Sequence, residues 1–249
     1  MIAVIAAAIG GLLIGSFLNV VAHRLPRGES LLRPRSRCPQ CQTQLRAIDN
    51  VPVVSWVLLR GRCHHCGTSI SARYPIVELV TGALYVAVVA SQDDAVRIVL
   101  GLLLVTALVP ITLIDLELRL IPNLITGPAA LAAVVAIAAL DPDFLPEALI
   151  AGAAAGGFFL LAALMYPRGM GMGDVKLAGM LGLYLGKAVA PAIFIALIAG
   201  VAVGAAVIAR KGAAEGRKTA VPFGPFLALG GMIAFFAGAD VVDAYLNHF

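Results

Sequence analysis

Two aspartates and four cysteines hold most of the chemistry available to this sequence. Asp115 closes a long apolar run in Leu113-Ile-Asp-Leu-Glu117, and Asp174 follows Gly171-Met-Gly173 at the mouth of another. A carboxylate at the centre of a membrane helix costs roughly 2.5–3.5 kcal/mol on insertion scales, so acids kept in such runs are functional by default. Two carboxylates at one depth can hold a water between them, one ionised to take its proton and the other neutral to donate to a carbonyl. Like charges that close share a proton and titrate as a unit. This is the chemistry of an aspartic protease. The glycines before Asp174 lack a Cβ, which allows positive φ and lets an extended backbone lie close. Structural roles stay open beside this one: Asp174 as a helix N-cap, and Asp115 as a solvated helix end shared with Glu117 and Arg119.

Cys38, Cys41, Cys63 and Cys66 are all the cysteines of the chain, two C-x-x-C pairs separated by 21 residues. Each pair can turn two thiolates onto one face of a tetrahedral ion, and two such knuckles complete a closed four-sulfur shell, the pattern of a structural zinc site. Two disulfides are the alternative, disfavoured in a reducing cytoplasm. His64 and His65 could substitute as ligands, although four thiolates already close the shell.

The elements that must carry these residues are membrane helices. Hydrophobic residues make up 61% of the chain and charged residues only 13%, with a mean hydropathy of +0.97; a soluble domain is nearer a quarter charged. Apolar runs recur at residues 2–22, 75–91, 96–114, 124–140, 148–166, 188–209 and 223–245. Most approach the roughly 20 residues that cross about 30 Å of hydrocarbon, while 175–186 is shorter. The first run lacks a basic n-region and a small-residue cleavage site before His23 and Arg24, so it reads as a retained helix. The net charge of +4 is not a nucleic-acid signature. Nine arginines lie between residues 23 and 74, and Arg210, Lys211, Arg217 and Lys218 cluster later. Such clustering follows the positive-inside rule.

With 23–74 cytoplasmic, counting 175–186 as a short crossing keeps both basic clusters inside and both termini outside. The expected fold is therefore an all-α polytopic membrane protein of about eight transmembrane helices with a small cytoplasmic zinc-ribbon-like domain. Residues 1–22 form the first helix, 23–74 the four-cysteine domain of turns and short strands, and 75–249 the membrane domain bearing the aspartates. Gly152, Gly156, Gly157, Gly200 and Gly204 are expected to let helices approach closely.

Nearly end to end, the sequence resembles the type IV prepilin peptidases, which belong with the G-x-G-D intramembrane aspartic proteases. Gly15-Ser-Phe-Leu-Asn-Val-Val21 with Arg24-Leu-Pro26 is similar to the family's opening motif. Ser36-Arg-Cys-Pro-Gln-Cys41, Pro52-Val-Val-Ser-Trp56, Leu59-Arg-Gly-Arg-Cys63 and Ile70-Ser-Ala-Arg-Tyr-Pro75 resemble its cysteine domain. Asp115-Leu-Glu117 with Ile121-Pro122, and Gly171-Met-Gly-Asp-Val-Lys-Leu177, resemble its catalytic motifs; Pro222-Phe-Gly-Pro-Phe226 resembles its late turn.

The resemblance implies that Asp115 and Asp174 are the catalytic acids and the four cysteines the metal ligands. It implies substrates that are prepilins or type II secretion pseudopilins, cut at the cytoplasmic face of the inner membrane. It also implies N-methylation of the new N-terminus with S-adenosylmethionine, for which the sequence assigns no residue. Glu78, just inside the second apolar run, is expected to touch a substrate amine, the methyl-donor site or a neighbouring arginine. Asp240 and Asp243 are expected to face water at the outer end of the last helix. The competing readings are a proton- or metal-linked transporter with the carboxylates as a relay, and a membrane scaffold with a docking zinc ribbon. Neither the pilins processed nor the oligomeric state follows from the residues.

Overall fold

The computed structural model describes residues 1–166, 170–212 and 221–248; Arg217 and Lys218 of the second basic cluster lie outside them. The helices are α1 (Ile2–Arg24), a short α2 (Val54–Leu58), α3 (Arg73–Ser91), α4 (Ala95–Leu118), α5 (Asn123–Leu140), α6 (Leu145–Met165), α7 (Met172–Leu185), α8 (Val189–Lys211) and α9 (Gly224–Leu246). The chain forms two compact units, Met1–Asp93 and Asp94–Phe249.

In the first unit α1 packs along α3. A Cβ on Gly11 would stand 2.7 Å from the Gly82 Cα, and one on Gly15 would stand 2.9 Å from the Glu78 Cα. Lipid gives no hydrophobic drive for helices to associate, so this backbone-to-backbone approach supplies dispersion contact instead. The buried Asn19 adds a polar tie, its side-chain amide donating to the Tyr74 carbonyl at 3.2 Å.

Between these helices lies the four-cysteine segment. The short strands expected there shrink to two isolated antiparallel bridges, Arg37 with Gln44 and Arg62 with Ser69, one in each knuckle. The chain turns away after a single pair because each tight turn serves to aim two sulfurs rather than to start a sheet. Trp56, the only tryptophan, packs over Gly61 and donates its indole N–H to the Ile70 carbonyl at 3.1 Å.

The second unit is an all-helical bundle. Seven stretches of the described chain are helical, long and apolar enough to span a bilayer, the sixth being Met172–Lys211. That stretch is two helices. Gly173 packs on Ile121, as Gly224 does, and Gly231 packs on Leu181, so α7 and α9 run side by side in the same direction. Gly238 meets Ala188, Gly230 meets Ala192 and Gly200 meets Phe223, so α8 runs against α9. The chain thus reverses between α7 and α8, and the eight-helix expectation holds. The 14 residues of α7 rise only about 21 Å, short of a full crossing.

The reversal is made by Gly186 at φ +55° and ψ −135°, a conformation that a side chain resists. A Cβ there would also strike the Glu147 carboxylate and the Phe144 ring. Glu147 accepts the Lys187 backbone N–H at 2.8 Å, and the Lys187 ammonium pairs with Asp243. Asp243 therefore closes this turn besides facing water. Gly186→Ala is expected to cost about 1–3 kcal/mol in local strain, read as a lowered thermal midpoint of the purified protein in detergent.

Of the glycines expected to make close faces, Gly152, Gly156 and Gly200 do so. Gly152 receives α7, where a Cβ on Gly182 would stand 2.6 Å from the Gly152 Cα, and Gly156 lies against Gly179. Gly157 and Gly204 meet nothing within 4 Å.

Candidate active site and metal centre

Asp115 stands in the last turn of α4. That helix ends at Arg119, in the left-handed region at φ +54°, whose N–H caps the Asp115 carbonyl at 2.9 Å. The chain then passes through Ile121 and Pro122 into α5. The Asp115 side chain is 5% exposed, and its Oδ2 accepts the backbone N–H of Gly224 at 2.9 Å, from the first residue of α9. Only glycine fits there. A Cβ on residue 224 would lie 2.7 Å from that same oxygen and 3.3 Å from the Ile121 side chain.

Asp174 is the third residue of α7, within its first turn rather than at its cap; Gly171 is the N-cap residue. A carboxylate in the first turn still gains from the helix dipole. The preceding glycines do not take positive φ: Gly171 is extended at φ −81°, and Gly173 is helical. Their role is close approach. A Cβ on Gly173 would lie 2.9 Å from the Ile121 Cβ, so its absence seats α7 against the α4–α5 turn. Ile121 thus touches both Gly173 and Gly224. Asp115 and Asp174 flank this contact, Asp115 through its bond to Gly224 and Asp174 as the residue after Gly173. One is buried and the other half-buried, at the same end of the bundle.

The arrangement offers two carboxylates from separate helices, one fixed by a backbone donor, beside glycines that leave room for an extended chain. Gly224 and Ile121 are the site residues that sequence reasoning passed over. Their motifs carry the signal, Pro222-Phe-Gly-Pro with glycine at a helix start and Ile121-Pro122 between two apolar runs. What they touch is set only by packing. Glu78 takes a backbone partner. It is 7% exposed and its Oε2 accepts the Val53 N–H at 2.8 Å, clasping α3 to the turn before α2.

The four cysteines converge. Their sulfurs all lie within 4.8 Å of one another, and they are the one such group of metal-binding side chains among the described residues. The Sγ atoms of Cys38 and Cys66 are 3.8 Å apart. A tetrahedron with bonds of about 2.3 Å has edges of about 3.8 Å. The two knuckles repeat one design. Cys38 N–H donates to the Thr43 carbonyl at 3.0 Å and Cys63 N–H to that of Thr68 at 2.8 Å, with Gln42 and Gly67 at positive φ in matching places.

Hydrogen bonds with Thr43 bring the Cys41 thiol down to about 6, while the Cys66 and His65 backbone groups lower that of Cys63. Against the Thr68 backbone donor, desolvation and the three neighbouring sulfurs push the Cys66 thiol up to about 11. Four sulfurs crowded in this way cannot all be thiolates without a cation among them, so the donor set fits a metal ion. The side chains of His64 and His65 are exposed and do not join the cluster as ligands.

Residues 9–92 match the profile of the bacterial peptidase A24 N-terminal domain, and residues 102–207 that of the type IV leader peptidase family. The first match holds all four cysteines and the second holds both aspartates. The chain is 39% identical to a prepilin leader peptidase/N-methyltransferase of Neisseria gonorrhoeae, over 97% of this chain and 94% of that one. It is 35% identical to the protein of the same name from Aeromonas hydrophila (96% and 92%), and 34% to that from Stutzerimonas stutzeri (98% and 94%). No solved structure matches. Two carboxylates at the end of the bundle where Ile121 joins Gly173 and Gly224, a four-sulfur cluster, and these similarities over nearly the whole length agree: the chain belongs to the type IV leader peptidase family.

Proposed function

We propose that this protein cleaves the leader from type IV prepilins or type II secretion pseudopilins and N-methylates the residue thereby exposed. The observation that carries the peptidase half is the approach of Asp115 on α4 to Asp174 on α7, with Asp115 fixed by the Gly224 N–H. In this reading the pair holds one water and shares one proton. The ionised carboxylate draws a proton from the water as it attacks the scissile carbonyl, and the neutral one donates to the carbonyl oxygen. The gem-diol then collapses as the leaving amine takes a proton from the pair. The substrate is a short leader ending in glycine, followed by an apolar helix. A glycine before the cut keeps the backbone extended within reach of the carboxylates.

Charge supports a site facing the cytoplasm: nine arginines lie between residues 23 and 74. The ion held by Cys38, Cys41, Cys63 and Cys66 is zinc in this reading, structural because the shell is closed. S-adenosylmethionine supplies an electrophilic methyl carbon, and no described side chain is assigned to hold it. A transporter would place interrupted helices in pairs at mid-membrane, whereas these acids meet where α4 ends and α7 begins.

Gly224→Ala is expected to cut the rate of cleavage at least tenfold by pushing the Asp115 carboxylate off its donor, while the helices stay folded; a prepilin cleavage time course with circular dichroism checks both. Incubation with a prepilin and a labelled methyl donor, followed by mass measurement, tests the whole proposal. The product loses its leader and gains one methyl group. A product of unchanged mass would refute the proposal.

A further inference from the structure

The first unit contains a cavity of about 430 Å³ between α1 and the loop that follows it, within the roughly 300–1,000 Å³ of small-molecule sites. Its floor is one stripe of α1. Leu13, Phe17, Val20 and Arg24 line it at helical spacing, apolar for most of its length and cationic at the end. Arg35 and Arg46 reach the same cavity from the loop, and no acidic residue lines it. Asp49 holds Arg46 through two hydrogen bonds, at 2.9 and 3.0 Å. Arg24 donates one N–H to the Ser30 carbonyl at 3.0 Å, which leaves its other donors for a ligand. From Arg24 to Leu13 the stripe rises about 16 Å, close to the half-thickness of a hydrocarbon core of about 30 Å.

A ligand that fits has an anionic head for the arginines and a hydrocarbon chain for Val20, Phe17 and Leu13. Phe17 is 43% exposed and Leu13 56%, so a chain can lie along them. S-adenosylmethionine carries a sulfonium and an ammonium against one carboxylate, so this cavity repels it. A basic leader peptide meets the same repulsion. Basic pockets beside membrane helices on the cytoplasmic side recruit anionic lipid heads. We propose that this cavity is a binding site for an anionic phospholipid, with the phosphate on Arg24 and Arg35 and an acyl chain along the α1 stripe.

Native mass spectrometry of the full-length protein, titrated with phosphatidylglycerol or phosphatidylcholine, tests it. Phosphatidylglycerol is expected to bind at least tenfold more tightly than phosphatidylcholine. Each arginine near the surface contributes about fivefold, so the double variant Arg24→Gln/Arg35→Gln is expected to lose about 25-fold. Arg60→Gln, in the same unit but outside the cavity, loses nothing. Glycerol 3-phosphate, which lacks the chain, does not displace the lipid at tenfold excess. Equal retention of the two lipids overturns the proposal, as does undiminished binding by the double variant. Unchanged Trp56 emission shows that variant to be folded. Displacement by glycerol 3-phosphate would make this a site for soluble anions, and displacement by S-adenosylmethionine would make it the methyl-donor site; either result rejects the lipid.

Discussion

Asn in place of Asp115 or of Asp174 is expected to stop prepilin cleavage while the protein remains folded. The substitution keeps size and shape, and at position 115 the amide oxygen can still accept the Gly224 N–H that the carboxylate accepts at 2.9 Å. What it removes is the capacity to take a proton from water or to share one across the pair. General acid–base groups contribute about 10²–10⁴-fold, so each single variant should lose at least that much. The double variant should be scarcely worse than either single one, because groups that act as a unit are not additive. At Asp174 the loss of a charge from the first turn of α7 costs only about 0.3–1 kcal/mol of helix-dipole stabilisation, too little to unfold a helix whose residues from Val175 to Leu185 are mostly buried. Processing by mass measurement, beside thermal unfolding, separates lost chemistry from lost fold. Complete cleavage by either variant would reject the pair.

Removing the metal should unfold the four-cysteine segment. That segment has little apolar core: among its residues Cys38 and Cys63 are the buried hydrophobic ones. Structural zinc in small peptides supplies about 10–16 kcal/mol of apparent binding energy at neutral pH, far more than the isolated bridges at Arg37 and Arg62 can replace. The protein offers its own reporter, since Trp56 is the only tryptophan and its ring lies on Gly61, two residues from Cys63. Protein purified under reducing conditions without chelator should carry one zinc per chain. A strong chelator should strip it and shift Trp56 emission to the red, and added zinc should restore the emission. Cys38→Ser/Cys66→Ser should show the red-shifted spectrum from the start. Absence of stoichiometric zinc, or an emission spectrum indifferent to the chelator, would remove the metal from the account.

Much of the architecture is legible in residue order alone, because a bilayer demands long apolar helices. The reversal between α7 and α8 is legible through charge, while Gly186, the residue that makes it, is one glycine among 26. Contacts between helices are a different matter. Gly11 and Gly82 close the α1–α3 pair, but nothing in their local sequence separates them from Gly157 or Gly204, which touch no neighbour within 4 Å. The position of Asp174 inside α7 rather than at its cap moves the helix start by three residues, which propensity does not resolve. The two aspartates stand out because acids in apolar runs are costly. The Gly224 donor does not stand out, since a backbone N–H carries no sequence signature and meets Asp115 only when α9 packs on α4. Glu78 likewise takes its partner, the Val53 N–H, from a turn 25 residues away.

The most direct measurement is an experimental structure of the protein with a prepilin analogue whose scissile peptide is replaced by a non-cleavable hydroxyl-bearing isostere. The tetrahedral carbon of such an analogue stands where water would add, and its hydroxyl where the attacking oxygen would be. The account predicts that hydroxyl within about 2.5–3.0 Å of both the Asp115 and the Asp174 carboxylates, with the Gly224 N–H still on Asp115. A hydroxyl that reaches only one of them, or an analogue seated away from Ile121 with the two carboxylates apart, would contradict it.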